Sequence, residues 1–201
     1  GKAGIVHYDG TETAVAVPDS LGGYPVVFIG ALTFAGEYVE ISGLGGYYQS
    51  NDTIVSLQIP ASVTDFKYGS LDYLDALESI QVDGANGAYA SQDGVLFSKD
   101  MRTVYRYPHA KKKVSYTLPD SVEVIQTNCF DENPYVQSLD FNHAKEMVGV
   151  VVYRCDALER VDLGDACEVI RQSVIRGCKV LREVQIPAAA SVLLEVMDAC
   201  P

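Results

Sequence analysis

Short runs of alternating apolar and polar residues return along this chain at a nearly constant interval. IVSLQIP opens at Ile54, LESIQVD at Leu77, KVSYTLP at Lys113, VQSLDF at Val136, LERVDL at Leu158 and LREVQIP at Leu181. The steps are 23, 36, 23, 22 and 23 residues, so the long one is a period plus an insertion. A weaker first copy, ETAVAVP, opens at Glu12. Positions 4 and 6 of each run, such as Leu139 and Phe141, are mostly apolar and share one face of a strand with a two-residue side-chain period. Positions 3 and 5 share the other face and are small or polar: Ser56 and Gln58, Ser79 and Gln81, Ser115 and Thr117, Ser138 and Asp140, Arg160 and Asp162, Glu183 and Gln185. No unit can bury its apolar face alone, so stacking must join the units into a core.

After the strand comes a turn, as in Pro18-Asp19-Ser20, Pro60-Ala61-Ser62 and Pro119-Asp120-Ser121. Proline presets φ there, and Asp or Ser can accept from the following backbone amides. A second apolar set follows, clearest at Val122, Ile125 and Phe130. A period in the low twenties is the leucine-rich-repeat range. The pattern predicts one domain over residues 1–201, a right-handed, β-rich leucine-rich-repeat solenoid of the α/β horseshoe type. It has about seven repeats, starting near 12, 54, 77, 113, 136, 158 and 181, with a parallel sheet on its concave side. Ala188-Ala189-Ala190 replaces the usual turn in the last repeat, and alanine's preference predicts helix over Ser191 to Asp198.

Two stretches break the period. In the first, 35–53, Tyr38 to Ile41 is a short strand candidate and Gly43 to Asp52 reads as loop. Tyr47 and Tyr48 in that glycine-rich loop form a candidate contact patch, since exposed tyrosine is common at binding surfaces. The alternative is that they fold back on the solenoid. In the second, 84–110, Val95 to Ser98 and Thr103 to Arg106 predict a hairpin whose apolar face (Leu96, Phe97, Val104, Tyr105, Tyr107) packs on the solenoid flank.

A strand ending in Ile-Pro, then Asp-Ser-Val, V-x-x-I and an aromatic, as in Lys113 to Phe130, resembles the BspA-type leucine-rich repeat. Leu21-Gly-Gly-Tyr-Pro-Val26 with Ile29-Gly30 and Phe34 is similar to a frequent first-repeat form of that family. Ser91-Gln-Asp-Gly-Val-Leu-Phe-Ser-Lys99 resembles its recurrent hairpin insert. The resemblance covers about Thr11 to Pro201. It implies a bacterial protein that is secreted or displayed on the cell surface, with adhesion as the function where one is assigned.

Composition narrows the partner. Apolar content of 48% and charged content of 21% are ordinary for a folded soluble chain, and the net charge is −12. An acidic surface argues against nucleic acid, which needs a basic footprint, and against anionic lipid. The one basic run, Lys111-Lys112-Lys113, reads as a solvated turn. No apolar run approaches the length of a membrane span. The expected state is a monomer, with signal sequence and anchor outside this segment.

Chemistry is sparse. Cys155, Cys178 and Cys200 recur at one repeat position and, with Cys129 and Cys167, read as small buried hydrophobes, a geometrically demanding disulfide between ladder neighbours being the alternative; no Cys-x-x-Cys pair suggests a metal or redox site. His7, His109 and His143 fall in different repeats and read as solvated or turn histidines. Asn51-Asp52-Thr53 matches a glycosylation sequon and reads as chance. Asp140 and Asp162 should be neighbours on adjacent strands, with Arg160 on the same face to compensate them. A calcium-assisted ligand site is the sharper reading of that pair and a solvated acidic stripe the plainer one. No catalytic residues, metal ligands or cofactors are expected, and the chain is not read as an enzyme. The function predicted is binding of host proteins or glycans. Ser115, Thr117, Asp140, Arg160, Asp162, Glu183 and Gln185 supply the concave surface, and Tyr47 and Tyr48 a loop patch. The competing readings are spacer repeats of a larger cell-wall protein and, less favoured, a hydrolase.

Overall fold

The computed structural model describes residues 1–42, 45–170, 172–192 and 195–201. They build a β-solenoid, a stack of coils whose strands pair in parallel from coil to coil. Ala14–Ala16, Ser56–Ile59 and Ser79–Val82 form one ladder. Ser115–Thr117, Ser138–Asp140, Arg160–Asp162 and Glu183–Gln185 form a second. The register puts Ser115, Ser138, Arg160 and Glu183 in one row and Thr117, Asp140, Asp162 and Gln185 in another. This is the alignment of the sequence repeat, residue for residue. A slip of one residue would turn the buried side chain of Leu139 to water, which pins the register.

The other sides of the coils are strand and turn as well. Val124–Ile125 pairs with Glu146–Met147, and Phe130–Asp131, Val152–Tyr153, Ile175–Arg176 and Met197–Asp198 stack in order. No helix occurs among the described residues, so the return side lacks the helices of the α/β horseshoe type. The helix expected over Ser191 to Asp198 is replaced by strands at Ser191–Val192 and Met197–Asp198; Leu193 and Leu194 lie outside the described residues. The preceding coil offers both strands a partner, Val169–Ile170 and Ile175–Arg176, and these ladders override alanine's weak helical preference. At the last turn of successive coils, Glu132, Arg154, Gly177 and Ala199 have φ of 49°, 48°, 70° and 52°. The first three donate their backbone N–H to Tyr153, Arg176 and Asp198 in the next coil.

The 84–110 insert is not on the flank. Its hairpin is three-stranded: Tyr89–Gln92 pairs with Val95–Ser98, which pairs with Thr103–Arg106. Asp93 and Gly94, both at positive φ (52° and 74°), close the first turn as a two-residue loop. That loop lies along the open edge of Ser79–Val82, where Ile80 N–H donates to Gly94 O (2.9 Å) and Val82 N–H to Ser91 Oγ (2.9 Å). Thr103–Arg106 then pairs with Val124–Ile125 on the far side of the coil. The insert thus occupies the place of a coil and runs through the stack. Its middle strand is buried on both faces: Leu96 packs in the core of the first repeats, Val95 and Phe97 in the core of the later ones. The core is therefore two clusters walled by one strand, not the single continuous core that uninterrupted stacking would give.

The basic run staples this junction. Lys111 and Lys113 both reach Asp93, the latter at 2.7 Å, and Lys112 reaches Glu78. Lys111 is largely buried along its stem, so the run is a set of cross-junction ion pairs and not simply a solvated turn.

Candidate interaction surfaces

Ser115, Thr117, Arg160, Glu183 and Gln185 stand exposed on the outer face of the second ladder, and Asp140 and Asp162 are half-buried on it. The two aspartates are register neighbours. Their carboxylates are occupied, however. Asp140 Oδ1 accepts from Asn142 N–H (2.8 Å) and Asp162 Oδ1 from Gly164 N–H (2.9 Å), so each caps the turn that follows its strand. Arg160 does not sit between them; it lies 3.7 Å from Glu183, its partner on the next strand, and Gln185 donates to the same carboxylate at 3.2 Å. Among the described residues no group of three or more His, Cys, Asp or Glu is placed to hold a metal ion. Nearby, His143 and Asp165 pair at 2.7 Å in full solvent; the carboxylate raises the imidazole's proton affinity.

Tyr47 and Tyr48 are not in a loop. Gly45–Tyr48 is a strand, antiparallel to Tyr38–Ile41, with Tyr38 opposite Tyr48 and Val39 opposite Tyr47. Gly43 and Leu44, expected at the start of the loop, lie outside the described residues. The Tyr38 and Tyr48 rings meet at 5.1 Å, and Tyr48 meets Tyr73 of the next repeat at 6.5 Å. All four tyrosines are exposed: Tyr38 by 53%, Tyr47 by 51%, Tyr48 by 37% and Tyr73 by 40%. The sequon residue Asn51 closes this segment. Its side-chain oxygen accepts from the N–H groups of Thr53 and Ile54, both at 3.0 Å.

A buried charge network was not foreseen. Arg106 and His109, from the insert, are almost fully enclosed. Arg106 pairs with Asp72 and lies 3.4 Å from Asp131, while His109 lies 3.6 Å from Asp131 and 3.5 Å from Asp75. The network ties the second repeat, the insert and the fourth repeat together. His109 is therefore not a solvated turn residue. Burial and, less strongly, the Arg106 guanidinium 3.4 Å away pull its proton affinity down, but Asp131 and Asp75 outweigh both and the net shift is upward. His109 in turn holds the Asp75 carboxyl below its usual range. Glu132, at the rim, is shifted up by burial and by Asp131. Asn133 completes the junction from within, donating to the carbonyls of Pro108, His109 and Lys111 and accepting from Tyr135 and Val136.

The five cysteines are all free thiols, and four are buried. Cys155, Cys178 and Cys200 each lie over the carbonyl two residues earlier (3.8, 3.8 and 3.5 Å), which makes them one ladder. Burial pushes the Cys129 and Cys178 thiols up to about 12. Buried thiols of this kind are inert fillers.

Residues 97–195 match the model of the BspA type leucine rich repeat region, in six copies. The chain belongs to the BspA-type leucine-rich-repeat family. Solved structures of similar fold include a leucine-rich-repeat protein of T. pallidum, at 21% identity and TM-score 0.54, covering 94% of this chain and 77% of that one. Another is a leucine-rich-repeat protein from Eubacterium ventriosum, at 17% identity and TM-score 0.52, covering 81% of this chain and 52% of that one. A third is a leucine-rich cell-surface protein from Faecalibacterium prausnitzii, at 19% identity and TM-score 0.51, covering 88% and 54%. The present chain spans only about half the length of the last two. No curated protein matches the sequence. At these identities the likeness is one of fold, that of a leucine-rich-repeat protein. No helix among the described residues is long and apolar enough to cross a membrane.

Proposed function

We propose that this BspA-type array is a secreted or surface-displayed interaction module, without catalytic activity, that binds a host protein or glycan. The observation that carries the reading is the exposed aromatic cluster: Tyr38, Tyr47 and Tyr48 on the hairpin and Tyr73 beside it, 37–53% exposed although the rings of Tyr38, Tyr48 and Tyr73 touch one another. Tyrosine offers large, rigid contact area at low entropic cost. A cell-surface leucine-rich-repeat protein of the same fold supports the location. On the ladder face, Ser115 and Thr117 are exposed, Arg160, Glu183 and Gln185 are exposed but engage one another, and Asp140 and Asp162 hold their turns. The proposed contact surface therefore weights the tyrosines over the ladder.

The test is a binding screen of the purified protein against arrayed extracellular-matrix proteins and glycans. Two variants run beside it: Tyr47→Ser/Tyr48→Ser, and Ser115→Arg/Gln185→Arg on the ladder. A hit lost in either variant supports the module and locates its surface. No hit at high micromolar protein overturns the reading in favour of spacer repeats within a longer cell-wall protein.

A further inference from the structure

The hairpin of Tyr38–Ile41 and Gly45–Tyr48 is physically incomplete. Alternation along its strands puts Tyr38, Glu40 and Tyr48 on one face and Val39, Ile41 and Tyr47 on the other. Apolar groups thus line both faces, and Tyr38, Ile41, Tyr47 and Tyr48 are exposed. Among the described residues the two strands pair only with each other. A lone two-stranded hairpin is marginally stable in water, and one with apolar groups on both faces invites cover.

Charge says what kind of cover. Between Ala3 and Phe66 the sequence contains no lysine or arginine, but it contains Asp9, Glu12, Asp19, Glu37, Glu40, Asp52 and Asp65. A second copy of this acidic chain would be repelled. The aromatic face also continues, through Tyr73, into a groove of about 340 Å³ lined by Asp72, Asp131, Glu132 and Tyr153. Around that groove four carboxylates, those of Asp72, Asp75, Asp131 and Glu132, share the two guanidinium groups of Arg106 and Arg154, plus His109. Arg176, at the far end, is taken by Asp198 at 3.0 Å. Burial and the neighbouring Asp131 raise the proton affinity of Glu132 by more than Arg154, 2.8 Å away, lowers it.

Building on the interaction-module reading, we infer that the tyrosine hairpin and the adjoining acidic groove form a docking surface for an extended, arginine- or lysine-bearing segment of a partner protein. The segment's backbone runs along the open hairpin edge, its cationic groups stack on Tyr38, Tyr48 and Tyr73, and one of them enters the groove beside Glu132.

The probe is a labelled nona-arginine peptide, followed by fluorescence anisotropy at about 0.15 M salt, with nona-glutamate and a Gly-Ser peptide as controls. The expected result is saturable binding of nona-arginine alone. Binding weakens about tenfold in Tyr38→Ser/Tyr48→Ser, which leaves the net charge untouched, and several-fold in Glu132→Gln. Tyr38 and Tyr48 pair across the hairpin at 5.1 Å, so circular dichroism compares the double variant with the parent, and Tyr73→Ser, which leaves that pair intact, should weaken binding several-fold on its own. No binding of nona-arginine overturns the inference. So does equal binding by the tyrosine variant, because attraction to the acidic chain as a whole would then account for it. A matrix-protein hit that survives Tyr38→Ser/Tyr48→Ser, together with either of those results, sinks this docking surface while leaving the interaction module standing.

Discussion

Leu96 and Phe97 are adjacent on one strand, yet they serve different cores. Leu96 is 1% exposed among the first repeats and Phe97 is 0% exposed among the later ones. Replacing either by alanine removes buried apolar volume from a strand that is hydrogen-bonded on both sides, by Tyr89–Gln92 and by Thr103–Arg106. The site cannot collapse easily, so the cavity persists. The expected loss is about 3–5 kcal/mol for Phe97→Ala and about 2–5 kcal/mol for Leu96→Ala. A side chain lying on the solenoid flank, half in water, would cost a fraction of that. Urea unfolding followed by circular dichroism measures both, with the slope checked for a change in the surface exposed. A loss below about 1 kcal/mol for either variant refutes the partition, since it would put that side chain outside a closed core.

Gly164 sits at φ +77° with the Asn142 carbonyl where a Cβ would go, so Gly164→Ala should lower stability by more than about 2 kcal/mol in the same assay; a loss under 0.5, near the scatter of surface substitutions, would show that the turn yields. The Tyr107 hydroxyl is buried without a partner among the described residues, so Tyr107→Phe should raise the urea midpoint, corresponding to about 1 kcal/mol; a lower midpoint would mean that the hydroxyl is satisfied. His109 titrates above its unfolded value, so its contribution is fully present below about pH 6.5 and is lost as pH rises through the higher folded value. The midpoint should therefore fall between pH 6 and pH 9 more steeply in the parent than in His109→Gln, and equal slopes would remove the linkage.

The ladders were legible because two signals agree at every copy. Position 4 is apolar and position 5 polar from Leu57 and Gln58 to Val184 and Gln185, and the register follows that alternation. The hairpin strands Val95–Ser98 and Thr103–Arg106 were legible to the residue. The placement of the insert was not. Val95, Leu96 and Phe97 are three apolar residues in a row, a run that fits a strand buried on both faces, and reading the hairpin as one-faced set it on the flank. The last coil misled for a different reason: alanine propensity is a local preference, and the partner strands that overrule it lie in the previous coil. The coil-end turns left little mark because Glu132, Arg154 and Ala199 take the conformation that glycine would have signalled.

The candidate surface follows the same division. Asp140 and Asp162 were placed correctly as neighbours, but a neighbour relation does not reveal that each carboxylate already serves its own turn two residues on. Asp72, Asp75, Arg106, His109 and Asp131 have no shared spacing, because they meet only where the insert has taken the place of a coil. The single local hint was Arg106 and His109 inside the mostly apolar run from Val104 to Ala110. A regular coil repeats its neighbour's surface, so a ladder of near-identical coils presents near-identical contacts along its length. Only where the repeat is interrupted can the array hold side chains that no other coil holds. Here both interruptions, the tyrosine hairpin and the walled insert, reach Tyr73, whose ring lies 6.5 Å from that of Tyr48 and which lines the groove beside His109. A specific partner has most to distinguish there, and the regular coils are best understood as the rigid frame that holds those two irregular segments side by side.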